Sequence, residues 1–161
     1  MIKVVIFDFD LTLYNSSSIQ SLMNQRQWSS VYKEIPYCPF YNGAIEILKT
    51  LKEKGFYIAI VSNAPRNYIV KVLEYYDVYI NYLICYHDVL KHKPHPQGIY
   101  QVLDYFKISN TETVYIGDNN IDYYTAKNAN IKFFGVPWGT FDKQVNTIEY
   151  NTQFLYKLFQ I

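Results

Sequence analysis

Cys38 and Cys85 are the only cysteines in the 161-residue sequence. Two isolated thiols make neither a disulfide framework nor a four-ligand zinc site, and they are read most simply as belonging to a reducing, cytoplasmic setting. Charge of one sign is lacking as well: 15 Lys and Arg stand against 14 Asp and Glu, a formal net charge of +1. No global field therefore points to nucleic acid or to an anionic membrane surface. No apolar run approaches the ~18 residues of a membrane span. The short run at residues 4–7 is cut off at once by Asp8 and Asp10, which is not the pattern of a signal peptide. What remains is globular: half of the residues are hydrophobic and 18% are charged, a balance that buries a core. The length fits one domain, 1–161, within the usual range of about 100–200 residues. The 18 tyrosines, scattered along the chain, read as packing residues.

Short apolar runs alternate with amphipathic segments of helix length. The runs lie at 4–7, 57–61, 82–85, 114–116 and 132–136, rich in Val, Ile, Phe and Tyr and almost continuously apolar. That is the pattern of strands buried on both faces. Helices are predicted at 44–54, where Ile45, Leu48 and Leu51 form a stripe ending before Gly55, and at 67–76, 96–106, 122–129 and 152–159. The alternation predicts a three-layer α/β/α, Rossmann-like fold on a mostly parallel five-stranded sheet. Segment 13–42 stands apart as a polar insert with a single modest helix over 19–31. Its aromatic residues, Trp28, Tyr32, Tyr37, Phe40 and Tyr41, read as local packing of a short flap.

In such a sheet the ligand crevice lies at the carboxyl ends of the strands, and the chemically capable residues fall there. The first run ends in FDFDLT, residues 7–12, with Asp8 and Asp10 two positions apart. Like charges that close need a cation or a shared proton. One functional reading makes Asp8 a nucleophile and Asp10 the acid and base for leaving group and water, with Thr12 positioning Asp10 or its loop. VSNAP at 61–65 places Ser62 and Asn63 after the second run, suited to phosphate or to capping the next helix. KHKPHP at 91–96 holds Lys93 before a proline, an ammonium able to offset the Asp8 carboxylate and a phosphoryl oxygen. His92 and His95 lack a nearby third ligand, so no histidine metal site is expected. YIGDNNID at 115–122 supplies Asp118 and Asp122, with capping of the following helix expected from Asp118 or Asn120. Oxygen ligands at this density favour Mg²⁺ over zinc.

Joined in this order, the segments resemble the haloacid dehalogenase superfamily of phosphohydrolases over nearly the whole chain except 13–42. FDFDLT looks like the first motif, Ser62 the second, Lys93 in KPHP the third, and GDNNID the acidic fourth. The stretches KPHPQGIY, VYIGDNNIDYYTAKNA and GVPWG look most like the phosphoglycolate-phosphatase-like branch. The resemblance implies an aspartyl-phosphate intermediate on Asp8, with Asp10 as general acid and base. It implies Mg²⁺ held by the Asp8 carboxylate, the Asp10 backbone carbonyl and Asp118, with Asp122 supporting. Ser62, Asn63 and Lys93 would bind the phosphoryl group. The acid at Asp10 separates the chain from dehalogenases, which lack it, and from ion pumps, which carry threonine there.

One departure concerns size. That branch inserts a large helical cap after the first strand, and residues 13–42 are too few for four helices of about 10–14 residues each. The expected site is thus more open, with a minimal cap, leaving room for a small metabolite, a bulkier phosphorylated substrate, or closure by a homo-oligomer. The same residues also suit a phosphotransferase or mutase. They also suit a receiver-like domain switched by phospho-aspartate, though Asp10 would hydrolyse that switch.

Overall fold

The computed structural model describes residues 1–159. Its sheet holds β1 (Val4–Phe7), β2 (Tyr57–Val61), β3 (Tyr82–Ile84), β4 (Thr113–Asn119) and β5 (Lys132–Thr140), all parallel, in the order β3-β2-β1-β4-β5. β1 lies at the centre: Phe7 pairs with Ile60 on one side and Ile116 on the other. Its near-continuous apolar sequence follows from that position. Val5 and Phe7 enter one hydrophobic cluster, while Val4 and Ile6 enter a second on the opposite face. The first cluster takes in α3 (Ala44–Glu53), α4 (Arg66–Tyr75) and α7 (Phe154–Phe159), through residues such as Leu51, Ile69 and Phe154. The second takes in α5 (Gln97–Phe106) and α6 (Asn120–Asn128), through Ile99, Val102 and Ala126. The expected three-layer α/β/α arrangement is thereby realised. After β1 the chain builds outward through β2 and β3, then returns to β4 on the other side of β1. That reversal opens a crevice above the carboxyl end of β1.

The insert differs from its sequence reading. Instead of one helix over 19–31 there are two, α1 (Gln20–Asn24) and α2 (Trp28–Glu34). Between them Arg26 adopts the left-handed region at φ 55°. The amide of Arg26 donates to the Met23 carbonyl at 2.9 Å and that of Gln27 to the Leu22 carbonyl at 2.9 Å. This is a Schellman stop, whose left-handed position is usually glycine. With arginine there, the break leaves no signature in the sequence, and the conformation costs roughly 1–2 kcal/mol. The insert's aromatic residues divide as packing. Phe40 and Tyr76 meet edge-on at 5.2 Å, Tyr41 stacks on Trp138 at 4.1 Å, and Trp28 leans on Tyr68 at 5.8 Å. Tyr37 is exposed. Among the described residues no helix is long and apolar enough to cross a membrane.

Candidate active site

The loop after β1 is a tight knot. The amides of Thr12, Leu13 and Tyr14 all donate to the Phe9 carbonyl, at 3.3, 2.9 and 3.1 Å, and Leu11 sits at φ 61°. Two distant groups fasten it. The Trp138 indole donates to the Leu11 carbonyl at 2.8 Å, and the Tyr150 hydroxyl donates to the Thr12 carbonyl at 3.0 Å. The effect is to turn Asp8 and Asp10 into the crevice while the Phe9 side chain, between them in sequence, is buried in the core.

Asp8 is the centre of a buried charge cluster. Lys93 Nζ donates to Asp8 Oδ1 and to Asp122 Oδ1, each at 2.7 Å, with all three side chains under 10% exposed. Asp122 is the most heavily engaged of the acids: its Oδ1 also accepts from the Tyr115 hydroxyl at 3.0 Å, and its Oδ2 from the Asp118 amide at 3.1 Å. Its position thus fixes Lys93 and the irregular end of β4, where the register shifts between Gly117 and Asn119. That close approach requires Gly117, because a Cβ there would lie 2.6 Å from Asp122 Oδ2. The Thr12 hydroxyl lies 3.2 Å from Asp8 Oδ2 and 3.1 Å from Asp118 Oδ1. The Thr12 hydroxyl therefore steadies these two acids, and of the expected roles, Asp10 or its loop, it makes no contact with the Asp10 carboxylate.

Asp10 has a partner that the sequence did not reveal. The hydroxyl of Tyr68, a fully buried residue in the first turn of α4, donates to Asp10 Oδ1 at 2.7 Å. Ser62 and Asn63 lie where expected, beyond β2, but neither caps α4, whose first turn is preceded by Pro65 without a side-chain cap. Ser62 Oγ accepts from the Ala64 amide at 3.0 Å, and Asn63 Oδ1 from the Lys93 amide at 3.3 Å, tying two loops together. The α6 cap is likewise neither Asp118 nor Asn120. Asn119 takes that role, accepting from the Ile121 and Asp122 amides, which leaves the Asp118 carboxylate free for the crevice. His92 and His95 are spent on their own loop, His92 stacking on Tyr86 at 4.0 Å and His95 Nδ1 accepting from the Gln97 amide.

Burial dominates the electrostatics. It raises Asp8, helped by the neighbouring Asp122 charge and opposed by Lys93. It raises Asp118 to about 8, with Asp8 adding to the effect. Asp10 is pushed up to about 6 by burial, against the hydrogen bonds from Tyr68 and Ser16 that pull it down. Burial alone would depress the Lys93 ammonium, but Asp122 and Asp8 outweigh it and hold it well above the ordinary lysine range. Oxygens of Asp8, Asp118 and Asp122 lie within 4.8 Å of one another. Once ionised, three carboxylates facing one ammonium carry two negative charges in excess, and every donor is a hard oxygen. That donor set fits a divalent cation of the Mg²⁺ type, with Asp8 and Asp118 as the acids whose lone pairs remain available.

These residues form the floor of an open cleft of about 700 Å³. Gln20, Asn24, Arg26 and Trp28 from the insert make one wall, and Tyr86 and His87 stand on the β3 side. Asp8, Asp10, Ser62, Asn63, Lys93 and Asp118 all open onto the same space, as does Asp122. Tyr68, Tyr115, Trp138 and Tyr150 act on this site without having been legible as part of it. Tyr115 and Trp138 lie in stretches that carry the family resemblance, but nothing there assigned them a contact with the site.

Comparison with known proteins agrees with this geometry. The chain is 33% identical over 94 residues to the pyrophosphatase PpaX of Halalkalibacterium halodurans, covering 57% of this chain and 44% of that protein. It is 32% identical over 100 residues to a phosphoglycolate phosphatase of Vibrio vulnificus, covering 58% of this chain and 42% of that one. The chain thus matches less than half the length of either relative. A HAD-superfamily hydrolase of Geobacter sulfurreducens superposes with a TM-score of 0.80 at 20% identity, covering 98% of this chain and 100% of the other, a likeness of fold. Residues 20–136 match the family model of the haloacid dehalogenase-like hydrolases, and the chain belongs to that family.

Proposed function

We propose that this chain is a Mg²⁺-dependent phosphatase that hydrolyses a phosphate monoester through an aspartyl phosphate on Asp8. The observation that carries the reading is the Lys93 ammonium, 2.7 Å from Asp8, in a cleft that Asp10 also lines. Residues 1–161 would act as one catalytic domain, with 13–42 as a minimal cap. The named activities of the two relatives, on pyrophosphate and phosphoglycolate, support phosphoryl chemistry on a small anionic substrate. Two free, buried cysteines accord with a cytoplasmic setting.

Asp8 attacks phosphorus as the bond to the leaving oxygen breaks, and Asp10 delivers its proton to that oxygen. A carboxyl pushed up to about 6 is partly protonated near neutrality, as a general acid must be. Asp10, now ionised, then takes a proton from water, whose oxygen attacks the aspartyl phosphate and releases inorganic phosphate and free Asp8. Lys93 offsets charge on the phosphoryl oxygens throughout, the main requirement in this class of reaction. Ser62 and Asn63, at the β2 end of the cleft, are placed to donate to the phosphoryl group. Asp8 and Asp118 would hold Mg²⁺, joined by the Asp10 carbonyl on the family pattern. When bound there, the metal supplies Lewis-acid stabilisation of the same developing charge.

The test is phosphate release from a panel of nucleotides, sugar phosphates, phosphoglycolate, pyrophosphate and phosphopeptides, with Mg²⁺ and with chelator. Turnover that needs the metal and disappears in Asp8→Asn is expected. No release from any substrate, with Asp8→Asn indistinguishable from the unaltered protein, would refute the reading.

A further inference from the structure

The acidic groups of the cleft are all on its floor: Asp8, Asp10, Asp118 and Asp122. Its outer wall carries no carboxylate, but it does carry the cation Arg26. Arg26 is exposed, and among the described residues its guanidinium has no ion pair or hydrogen bond. Its backbone occupies the left-handed stop between α1 and α2, a position for which glycine is the low-strain choice. An unpaired arginine therefore stands at the strained corner that overhangs the site. A planar guanidinium is suited to bidentate capture of a carboxylate or phosphate.

We infer that Arg26 is a specificity residue for the leaving group, and that the substrate is a small phosphate ester or anhydride whose leaving group bears a second anionic group. This rests on the proposed phosphatase reading and adds its substrate class. The phosphoryl group is accommodated at the floor by Lys93, Ser62 and Asn63. The leaving group then extends toward the wall of the insert, where its carboxylate or phosphate meets Arg26. Asn24, on the same wall, adds a neutral donor that tolerates either kind of anion.

The experiment compares kcat/KM for phosphoglycolate and pyrophosphate with that for ethyl phosphate and p-nitrophenyl phosphate, in the unaltered protein, Arg26→Gln and Arg26→Lys. Phosphoglycolate and pyrophosphate distinguish a carboxylate from a phosphate as the second anion. The unaltered protein is expected to favour at least one acidic substrate. Arg26→Gln should lower the acidic-to-neutral ratio about ten- to a hundredfold, the worth of one charge-assisted hydrogen bond, chiefly through KM, with Arg26→Lys recovering part of it. An unchanged ratio, or no preference to begin with, would overturn the inference. Calorimetric titration of Asp8→Asn with phosphoglycolate and ethyl phosphate, with and without Arg26→Gln, reads the same contact without turnover. Failure of catalysis would therefore refute the proposed function, while Arg26 is still judged by binding.

Discussion

Tyr68→Phe removes one oxygen and leaves the packing of α4 intact, yet it should retune the acid of the site. The Tyr68 hydroxyl donates to Asp10 Oδ1 at 2.7 Å, and this contact is the largest influence pulling that carboxyl down against burial. A hydrogen bond to a charged group is worth about 1.5–3 kcal/mol, and one pKa unit corresponds to about 1.36 kcal/mol. Losing the contact should therefore raise Asp10 from about 6 by roughly one to two units. In the proposed reaction Asp10 must be protonated to serve the leaving oxygen, so the alkaline limb of the kcat/KM profile should move upward by the same amount. Initial rates with a substrate limited by the first step measure it. Thermal melts supply an independent reading. Because the folded-state value lies above the ordinary 3.8, folding takes up a proton, and this contribution to stability is lost as pH rises through 3.8 to about 6. The variant raises the upper end of that window, so its melting deficit should be small in acid and grow toward neutral pH. A limb that stays in place or moves down, or a deficit independent of pH, would refute the reasoning.

Mg²⁺ should stabilise the protein more at alkaline than at acid pH. Without metal, Asp118 at about 8 and the raised Asp8 hold protons in the folded state, so stability falls as pH rises through their range, and a bound cation reverses this. At a hundredfold excess over Kd the gain is about 2.7 kcal/mol, or roughly 5–10 °C in Tm for a chain of this size. A Tm shift equal at both ends of the range would count against Asp8 and Asp118 as ligands. Gly117→Ala drives a methyl toward Asp122 Oδ2, 2.6 Å from the ideal Cβ, and must displace the carboxylate that anchors Lys93. A stability loss of about 1–3 kcal/mol with a larger proportional fall in kcat than in KM is expected. A variant with native kcat would show that the anchor is dispensable.

Much of the architecture was readable because β1 is buried on both faces, so that Val4, Val5, Ile6 and Phe7 all had to be apolar. The acids were readable for a complementary reason, since charges at the ends of such strands have no packing role, and Lys93 was readable because a proline follows it in KHKPHP. The missed features share a different cause. Tyr68 and Tyr115 carry a hydroxyl whose partner is chosen by the tertiary fold, and nothing marks them among 18 tyrosines. The α6 cap was expected from Asp118 or Asn120, and only the path of the chain at the end of β4 selects Asn119 between them. The break between α1 and α2 was hidden because Arg26 stands where a glycine would have announced it.

The knot that holds Asp8 is fastened from far along the chain, at sequence separations of 127 residues to Trp138 and 138 to Tyr150. Contacts of such high order form late, because the loop they close must lose its entropy first. A growing chain emerging from the ribosome would therefore carry Asp8 without a shaped site around it until Trp138 and Tyr150 have been made. The site is complete only when that later segment docks. Slow folding or clipping near Trp138 and Tyr150 should silence chemistry at the opposite end of the sequence while leaving β1 and β2 free to pair.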